Sequence, residues 1–402
     1  MALSPTATVP RITQKRRKSR STEFESIGEK SLASTAAAWP FIGTTSGSSS
    51  IKQYGDIRNV AQIRQMDVSS AELEALEPTS PLADGAVVLG GLYQFTRDPP
   101  MFLDEEQSRV PKYAMRSIVH TPAGNSKNYT LHYFVKQAKS AFIRNVTTTC
   151  AIGSASNRVI QHRDAIAMDH STRRSGHQYL WITEPCVPQQ SLHYVLSGSD
   201  KSIDVSDYPF KAWSTYAMLD ALKDVHAANY VHLGLTSWSF YYADPEAISD
   251  WQITGFDQTH CAGERIAEAR LNQWSAPELF ATASSDNRRC FRQTAQPASD
   301  IWSLGCIIYT LATGRSLTID HNQTAQLSRR DRDQLFIHVT SACNEAGAVN
   351  ESYRTLLEGM LQPDPARRST AANLAAYWKE ANGLYDDDEE ENNEAEESVV
   401  TP

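Results

Sequence analysis

Between Asp300 and Gly314 runs a segment, Ile301-Trp302-Ser303-Leu304-Gly305-Cys306-Ile307-Ile308-Tyr309-Thr310-Leu311-Ala312-Thr313, whose apolar residues fall on nearly every side of a helix. A helix without a polar face is stable only where other elements surround it. The segment predicts a buried pillar, capped and anchored by Asp300 and stopped at Gly314, a residue suited to the left-handed conformation that ends helices. Such a pillar needs a domain large enough to wrap it. With 402 residues, 41% of them hydrophobic, the chain can bury that core as two or three domains, or as one large bilobal domain with tails.

Charge is more informative by segment than in total. The last 17 residues hold nine acids and no Lys or Arg, and without them the remaining acids equal the 38 Lys plus Arg. The body is therefore formally neutral, which argues against nucleic acid as the main partner. The six cysteines are scattered, with no C-x-x-C pair and no secretory signal ahead of them, and read as reduced thiols of an intracellular protein. No run of 18 apolar residues exists to span a membrane.

Residues 1–80 are rich in Ser, Thr and Ala, broken by Pro5, Pro10 and Pro40, and read as a disordered N-terminal region. Within them Lys15 to Arg20 form a basic cluster that is either a nuclear localisation signal or a solvated run in a tail. The expected location is cytoplasmic, and nuclear where that cluster acts as a signal. The first 22 residues lack acids, as mitochondrial transit peptides do, but Pro5 and Pro10 break the helix such a peptide needs. Ser69-Ser70-Ala71-Glu72 has the spacing of a capping box for a short helix through Glu77.

From Ala86 to Tyr93 the chain turns to apolar and β-branched residues, suited to the first strand and turn of a small sheet. From Tyr129 to Lys136 residues alternate: Tyr129, Leu131, Tyr133 and Val135 on one face, Thr130, His132, Phe134 and Lys136 on the other. Gln178 to Glu184 forms a second such strand. Met218, Ala221, Leu222 and Val225 then recur at helical spacing and lead into Val231-His232.

The order of four further stretches is telling. Val231-His232-Leu233-Gly234-Leu235-Thr236-Ser237-Trp238-Ser239 is followed by Ile253-Thr254-Gly255-Phe256-Asp257, then Ala276-Pro277-Glu278, then Asp300 to Gly305. That order resembles the protein kinase signature set of a His-Arg-Asp-Leu-x-x-x-Asn catalytic loop, an Asp-Phe-Gly metal loop and an Ala-Pro-Glu segment. The resemblance covers about residues 85–381 and is concentrated between His226 and Tyr377. It implies an α+β, bilobal protein kinase-like fold, with a small, mainly β N-lobe at 82–186, a larger, mainly α C-lobe at 187–385 and an acidic tail at 386–402. It also makes His232, Phe256, Glu278, Asp300, Trp302, Gly305 and Arg368 structural residues, with Glu278 paired to Arg368.

The same alignment removes the chemistry. Gly234 falls at the catalytic Asp, Ser239 at the metal-binding Asn and Gly255 at the metal-loop Asp, so no catalytic residue is intact. Phosphoryl transfer relies on those groups to accept the hydroxyl proton and hold the metal ions, and losing a general base alone costs roughly 10²- to 10⁴-fold. Lys136 is the candidate phosphate contact, yet no Asp or Glu lies between it and Asp164 to pair with it. Thr183 and Glu184 are the hinge candidates. Phe134 replaces the small residue on which an adenine would lie, and Gly85, Gly90 and Gly91 do not have the phosphate-loop spacing. A slip of two residues would instead make Asp257 a metal ligand. No Ser, Thr or Tyr lies between Thr259 and Ser275, so switching by phosphorylation there is not expected.

The resemblance is thus to a pseudokinase: a scaffold or allosteric regulator that binds another protein, an active kinase or its substrate, with no cofactor expected and magnesium unfavoured. Two alternatives stay open. One is a weak Ser/Thr phosphotransferase using Lys136 and Asp257, and the other is an ATP-binding sensor without turnover.

Overall fold

The computed structural model describes residues 12–13, 63–66, 76, 86–89, 92–96, 101–102, 113–120, 128–135, 138–153, 155–168, 177–186, 188–199, 203–242, 247–266, 271–280, 293–317 and 329–385. The chain divides into two units. In the first, β1 (Ile12–Thr13) and β14 (Leu384–Tyr385) pair in parallel. The second, Arg58–Ala381, carries a two-lobed α+β architecture.

The small lobe is built on one sheet of β2 (Ile63–Met66), β3 (Val87–Val88), β4 (Tyr93–Phe95), β5 (Met101–Phe102), β6 (Tyr113–His120), β7 (Asn128–Val135), β8 (His162–Met168) and β9 (His177–Thr183). Its order is β2-β8-β9-β7-β6-β4-β3, with β5 also on β6. Helix α1 (Lys139–Gly153) lies between β7 and β8 in the chain. Alternation sorts the side chains: Leu131 and Tyr133 of β7 join Ile166, Leu180 and Ile182 in one cluster. Phe134 joins Ala165, Trp181 and the α1 residues Phe142 and Val146 in another, on the opposite face.

Two features depart from the sequence reading of residues 1–80 as disordered. Ile63–Met66 form an edge strand parallel to β8, and Leu76 is buried in the core with Val88, Tyr93 and Met168. The physical reason is the β8 edge: without β2 it would present an unpaired row of backbone donors and acceptors. The capping-box residues Ser69 to Glu72, the basic cluster Lys15 to Arg20 and the acidic tail lie outside the described residues.

In the large lobe, α2 (Leu192–Leu196) begins at Ser191, whose side chain accepts from the Tyr194 N–H. The long α3 (Tyr208–Ala227) begins at Asp207, which accepts from Phe210 N–H. Two short antiparallel pairs follow, β10 (Tyr230–Val231) with β13 (His260–Cys261) and β11 (Phe240–Tyr242) with β12 (Trp251–Ile253). Then come α4 (Pro277–Phe280), α5 (Pro297–Thr313), α6 (Arg329–Val349), α7 (Glu351–Met360) and α8 (Ala371–Ala381).

The pillar is α5, buried along nearly its whole length. It starts earlier than its apolar run suggests, because Pro297 is preorganised for a first helical position. Asp300 consequently lies inside the first turn and Gln296 takes the cap position. A Cβ on Gly305 would come within 2.9 Å of Leu361 Cδ2, so glycine there lets the segment after α7 lie directly on the pillar. Gly314 ends the helix at φ 73°.

The lobes are joined by the stretch after α1. Ile160 N–H donates to Ile253 O at 3.1 Å and Ile253 N–H to Arg158 O at 2.8 Å. The buried Arg158 guanidinium reaches Asp220 of α3 at 3.2 Å and also pairs with Asp250. Backbone pairing and a charge network thus attach the α1–β8 connection to the large lobe, which sets the position of α1 over the cleft.

Candidate functional site

The loop after α3 is organised by Asp300. Its fully buried carboxylate accepts from His232 N–H and Leu233 N–H, each at 2.7 Å, and His226 Nε2 lies 3.0 Å away. Leu233 is held at φ 60°, a conformation disfavoured for a leucine. The His232 ring accepts from Gly234 N–H at Nδ1 and donates from Nε2 to Thr254 O at 3.0 Å. It lies 5.2 Å from the ring of Phe256, which is fully buried. Desolvation lowers the His232 pKa, opposed by the nearby Asp300 charge. These contacts build the frame of a catalytic loop out of backbone and packing.

What hangs on that frame is occupied otherwise. Ser239 Oγ accepts from Thr236 N–H at 3.1 Å while Thr236 Oγ1 accepts from Trp238 N–H at 3.1 Å, a reciprocal cap that turns both hydroxyls inward. A Cβ built on Gly234 would lie 3.0 Å from Gln258 Nε2, so the glutamine side chain packs beside this glycine. Gly255 sits at φ 86° and introduces the turn that buries Phe256. With Phe256 in the packing position, Gly255 is the residue before it and Asp257 the residue after. Asp257 lines the cleft, and its main-chain oxygen accepts from Arg144 Nη1 of α1 at 3.2 Å. Among the described residues no cluster of three or more His, Cys, Asp or Glu is placed to hold a metal ion.

The cleft between sheet and loop is lined by His132, Phe134, Asn145, Trp181, Cys186, Trp238, Tyr241, Thr254, Gly255 and Asp257. Half of its lining residues carry aromatic rings. His132 packs on Trp181 at 4.7 Å, the pair directly opposed in the β7–β9 register. Phe134 is buried against Phe142 of α1 at 5.6 Å. At the front, Trp238 stacks on His193 of α2 at 4.1 Å.

Behind these rings lies a small polar knot. Thr183 donates its hydroxyl proton to Glu184 O at 2.8 Å, so its oxygen accepts from His132 Nε2–H at 3.0 Å. Cys186 N–H donates to Thr130 Oγ1 at 2.9 Å, and Cys186 Sγ lies 3.5 Å from both His132 and Thr183. Burial lowers the His132 pKa to about 3 and raises that of Cys186 to about 11, so both are neutral and unreactive near pH 7. The hinge candidate Thr183 is therefore a buried member of this knot, and Glu184 follows it with its N–H on Gln161 O at 3.0 Å. Lys136, Gly85, Gly90 and Gly91 lie outside the described residues.

Asn145 of α1 also faces the cleft, with its amide nitrogen on Ala141 O at 3.0 Å. Sequence reasoning did not single out His132, Trp181, Cys186, Trp238 or Tyr241 as cleft residues. The strand alternation that puts His132 and Phe134 on one face was the available signal; the cross-strand stack and the stack of α2 on the loop had none.

Past the metal-loop position the segment is held by backbone pairing. Gly263 N–H donates to Ala295 O at 2.8 Å, Ala295 N–H to Glu264 O at 2.7 Å and Ile266 N–H to Gln293 O at 2.9 Å. The segment ends at Glu278, whose carboxylate receives both Arg368 Nη atoms, at 2.7 and 2.8 Å, and Ser299 Oγ at 2.9 Å. Arg368 also donates to Gln362 O and Ala298 O, each at 2.8 Å, and lies 4.9 Å from the centre of the Trp302 ring.

The family model for the protein kinase domain matches residues 125–378. This chain belongs to the protein kinase family. Among curated proteins it is 27% identical over 251 residues to mitogen-activated protein kinase 12 of Oryza sativa subsp. japonica, covering 54% of this chain and 41% of that protein. It is 28% identical over 217 residues to mitogen-activated protein kinase 16 of Arabidopsis thaliana, covering 52% and 35%. It is also 25% identical over 217 residues to the mouse inactive serine/threonine-protein kinase PLK5, covering 54% and 32%. The chain thus spans less than half the length of these relatives.

Proposed function

We propose that this kinase-family domain is a pseudokinase that acts by binding and positioning another protein, as a scaffold or allosteric regulator, without efficient phosphoryl transfer. One observation carries the reading: the three positions where a kinase places its base and metal ligands hold Gly234, Ser239 and Gly255, none of which carries a carboxylate or amide side chain. Around them Ser239 Oγ accepts from Thr236 N–H, Gln258 lies against Gly234, and Gly255 provides a left-handed turn. Phe134 on the cleft wall adds support, since its ring stands at the position where the family resemblance puts a small residue under an adenine. The inactive mouse relative is compatible with this reading. No cofactor is part of it, and the partner is a protein, an active kinase or its substrate.

A thermal shift with ATP, with and without magnesium, tests the proposal, because a ligand that binds only the folded state raises Tm. The expected result is no shift at millimolar ATP. A magnesium-dependent shift accompanied by phosphate transfer would overturn the reading in favour of an atypical Ser/Thr phosphotransferase. A shift without transfer would identify a nucleotide sensor.

A further inference from the structure

Helix α6 (Arg329–Val349) packs on α5 and α7 and buries Leu335, Val339, Ala342, Cys343 and Ala346. Its opposite face is exposed and almost uncharged. Of the four large hydrophobic residues exposed among the described residues, three lie on this helix: Phe336 at 52%, Ile337 at 68% and Val349 at 48%. Between positions 333 and 349 the one exposed acid or base is Asp333. Glu345 is half-buried and held by Tyr309 and Arg315. A water-facing surface carries roughly 25–35% charged residues, whereas the centre of a protein interface is depleted in charge and enriched in aromatic residues.

The pattern on this face is ordered. Ile337, Ser341, Asn344 and Ala348, all exposed, fall at i, i+4, i+7 and i+11 and so form one stripe along the helix. That is the seam spacing of paired helices. The stripe is bulky at one end and small at the other. Under a two-fold axis an antiparallel copy brings Ile337 opposite Ala348 and Ser341 opposite Asn344, and the axis repeats each contact. A parallel copy would set Ile337 against Ile337 and leave Ala348 facing Ala348 across a gap.

We propose that this face is a self-association site, on which α6 pairs antiparallel with α6 of a second copy of the chain. Ile337, Ser341, Asn344 and Ala348 form the seam, and Phe336 and Thr340 lie along one edge of it. The helix from Asp333 to Val349 is about 25 Å long, and one helix pair of that length buries less than the roughly 1,200–2,000 Å² of stable complexes. The dimer is therefore weak and forms at micromolar concentration or above. The inference goes beyond the scaffold reading and does not depend on it. Its test needs neither nucleotide nor partner, so either can fail alone.

Sedimentation velocity of the full chain between about 1 and 200 µM tests it. Wild type is expected to pass from monomer to dimer across this range. Ile337→Lys alone, or Ala348→Glu alone, puts a charge against an uncharged residue of the seam, and each is expected to weaken association at least tenfold. An equimolar mixture of the two variants sets the introduced charges against each other at one end and keeps Ile337 opposite Ala348 at the other. It is expected to associate at least tenfold more tightly than either variant alone. Both positions are exposed, so the variants are expected to keep the wild-type urea midpoint, which separates loss of contact from loss of fold. A wild type that stays monomeric throughout, as it would if another segment or another protein covers the face, overturns the proposal. So does dimerisation unaffected by Ile337→Lys, or a mixture that gains nothing over its components.

Discussion

The Asp300 carboxylate and the main-chain N–H of Leu233 meet at 2.7 Å, and this contact holds a leucine in the left-handed region at φ 60°. The other carboxylate oxygen takes the neighbouring His232 N–H at the same distance. One acid on the pillar thus fixes two successive backbone groups of the loop.

Asp300→Asn tests that arrangement at nearly constant volume. The amide keeps one acceptor and turns a donor toward one of the two N–H groups, which is then left buried and unpaired at about 1–3 kcal/mol. We expect a stability loss of that order in urea denaturation, with the loop rather than α5 losing hydrogen-exchange protection. An unchanged midpoint would show that Asp300 is dispensable to the loop.

The Glu278–Arg368 pair gives a second prediction. Arg368 spends its planar fork on Glu278 and its remaining donors on Ala298 and Gln362. A lysine delivers one point charge and cannot reproduce this set. Arg368→Lys should therefore destabilise almost as much as Arg368→Met, both by roughly 3–5 kcal/mol, since each leaves a half-buried carboxylate poorly paired. A lysine variant as stable as wild type would mean that charge alone suffices.

Gly255 offers a test by residue type. Its φ of 86° strains most side chains, although a Cβ would find nothing closer than Ser239 Oγ at 3.8 Å. Asp and Asn tolerate left-handed backbone better than other non-glycine residues, and β-branched residues tolerate it worst. Gly255→Asp should cost about 1 kcal/mol or less and Gly255→Val distinctly more. Equal costs would point to crowding in place of backbone strain.

His132 carries a pH prediction. Burial holds its pKa near 3 in the folded chain, against about 6.5 when unfolded. Between those values the unfolded chain takes up a proton that the folded chain refuses. Stability therefore falls as pH drops below about 6.5, by up to ~1.4 kcal/mol per pH unit. His232, also lowered by burial, acts in the same direction. His132→Gln should flatten, without abolishing, the decline measured by chemical denaturation between pH 7.5 and 5. Parallel profiles would show that His132 charges without unfolding the lobe.

Legibility in the sequence followed the range of the cause. The pillar is readable because its pattern is local: apolar residues on every side from Ile301 to Leu311 and a glycine at the end. The strand Asn128–Val135 is readable from two-residue alternation. Asp300 was legible as important but not in its role, since a cap and a buried brace for a distant loop look alike without the partner. Ile63-Arg64-Gln65-Met66 shows no alternation, and its pairing partner lies about a hundred residues on. The stacks His132–Trp181 and His193–Trp238 depend on strand register and on the approach of α2 to the loop, neither of which any stretch of residues encodes alone.

Helix α1 is held to the metal-loop region by a guanidinium on a main-chain oxygen, Arg144 on Asp257. A backbone carbonyl neither titrates nor leaves with a ligand. The setting of α1 is thus tied to the backbone of the loop that carries Phe256 and to no side chain that changes charge, so a substitution at Asp257 leaves this contact in place.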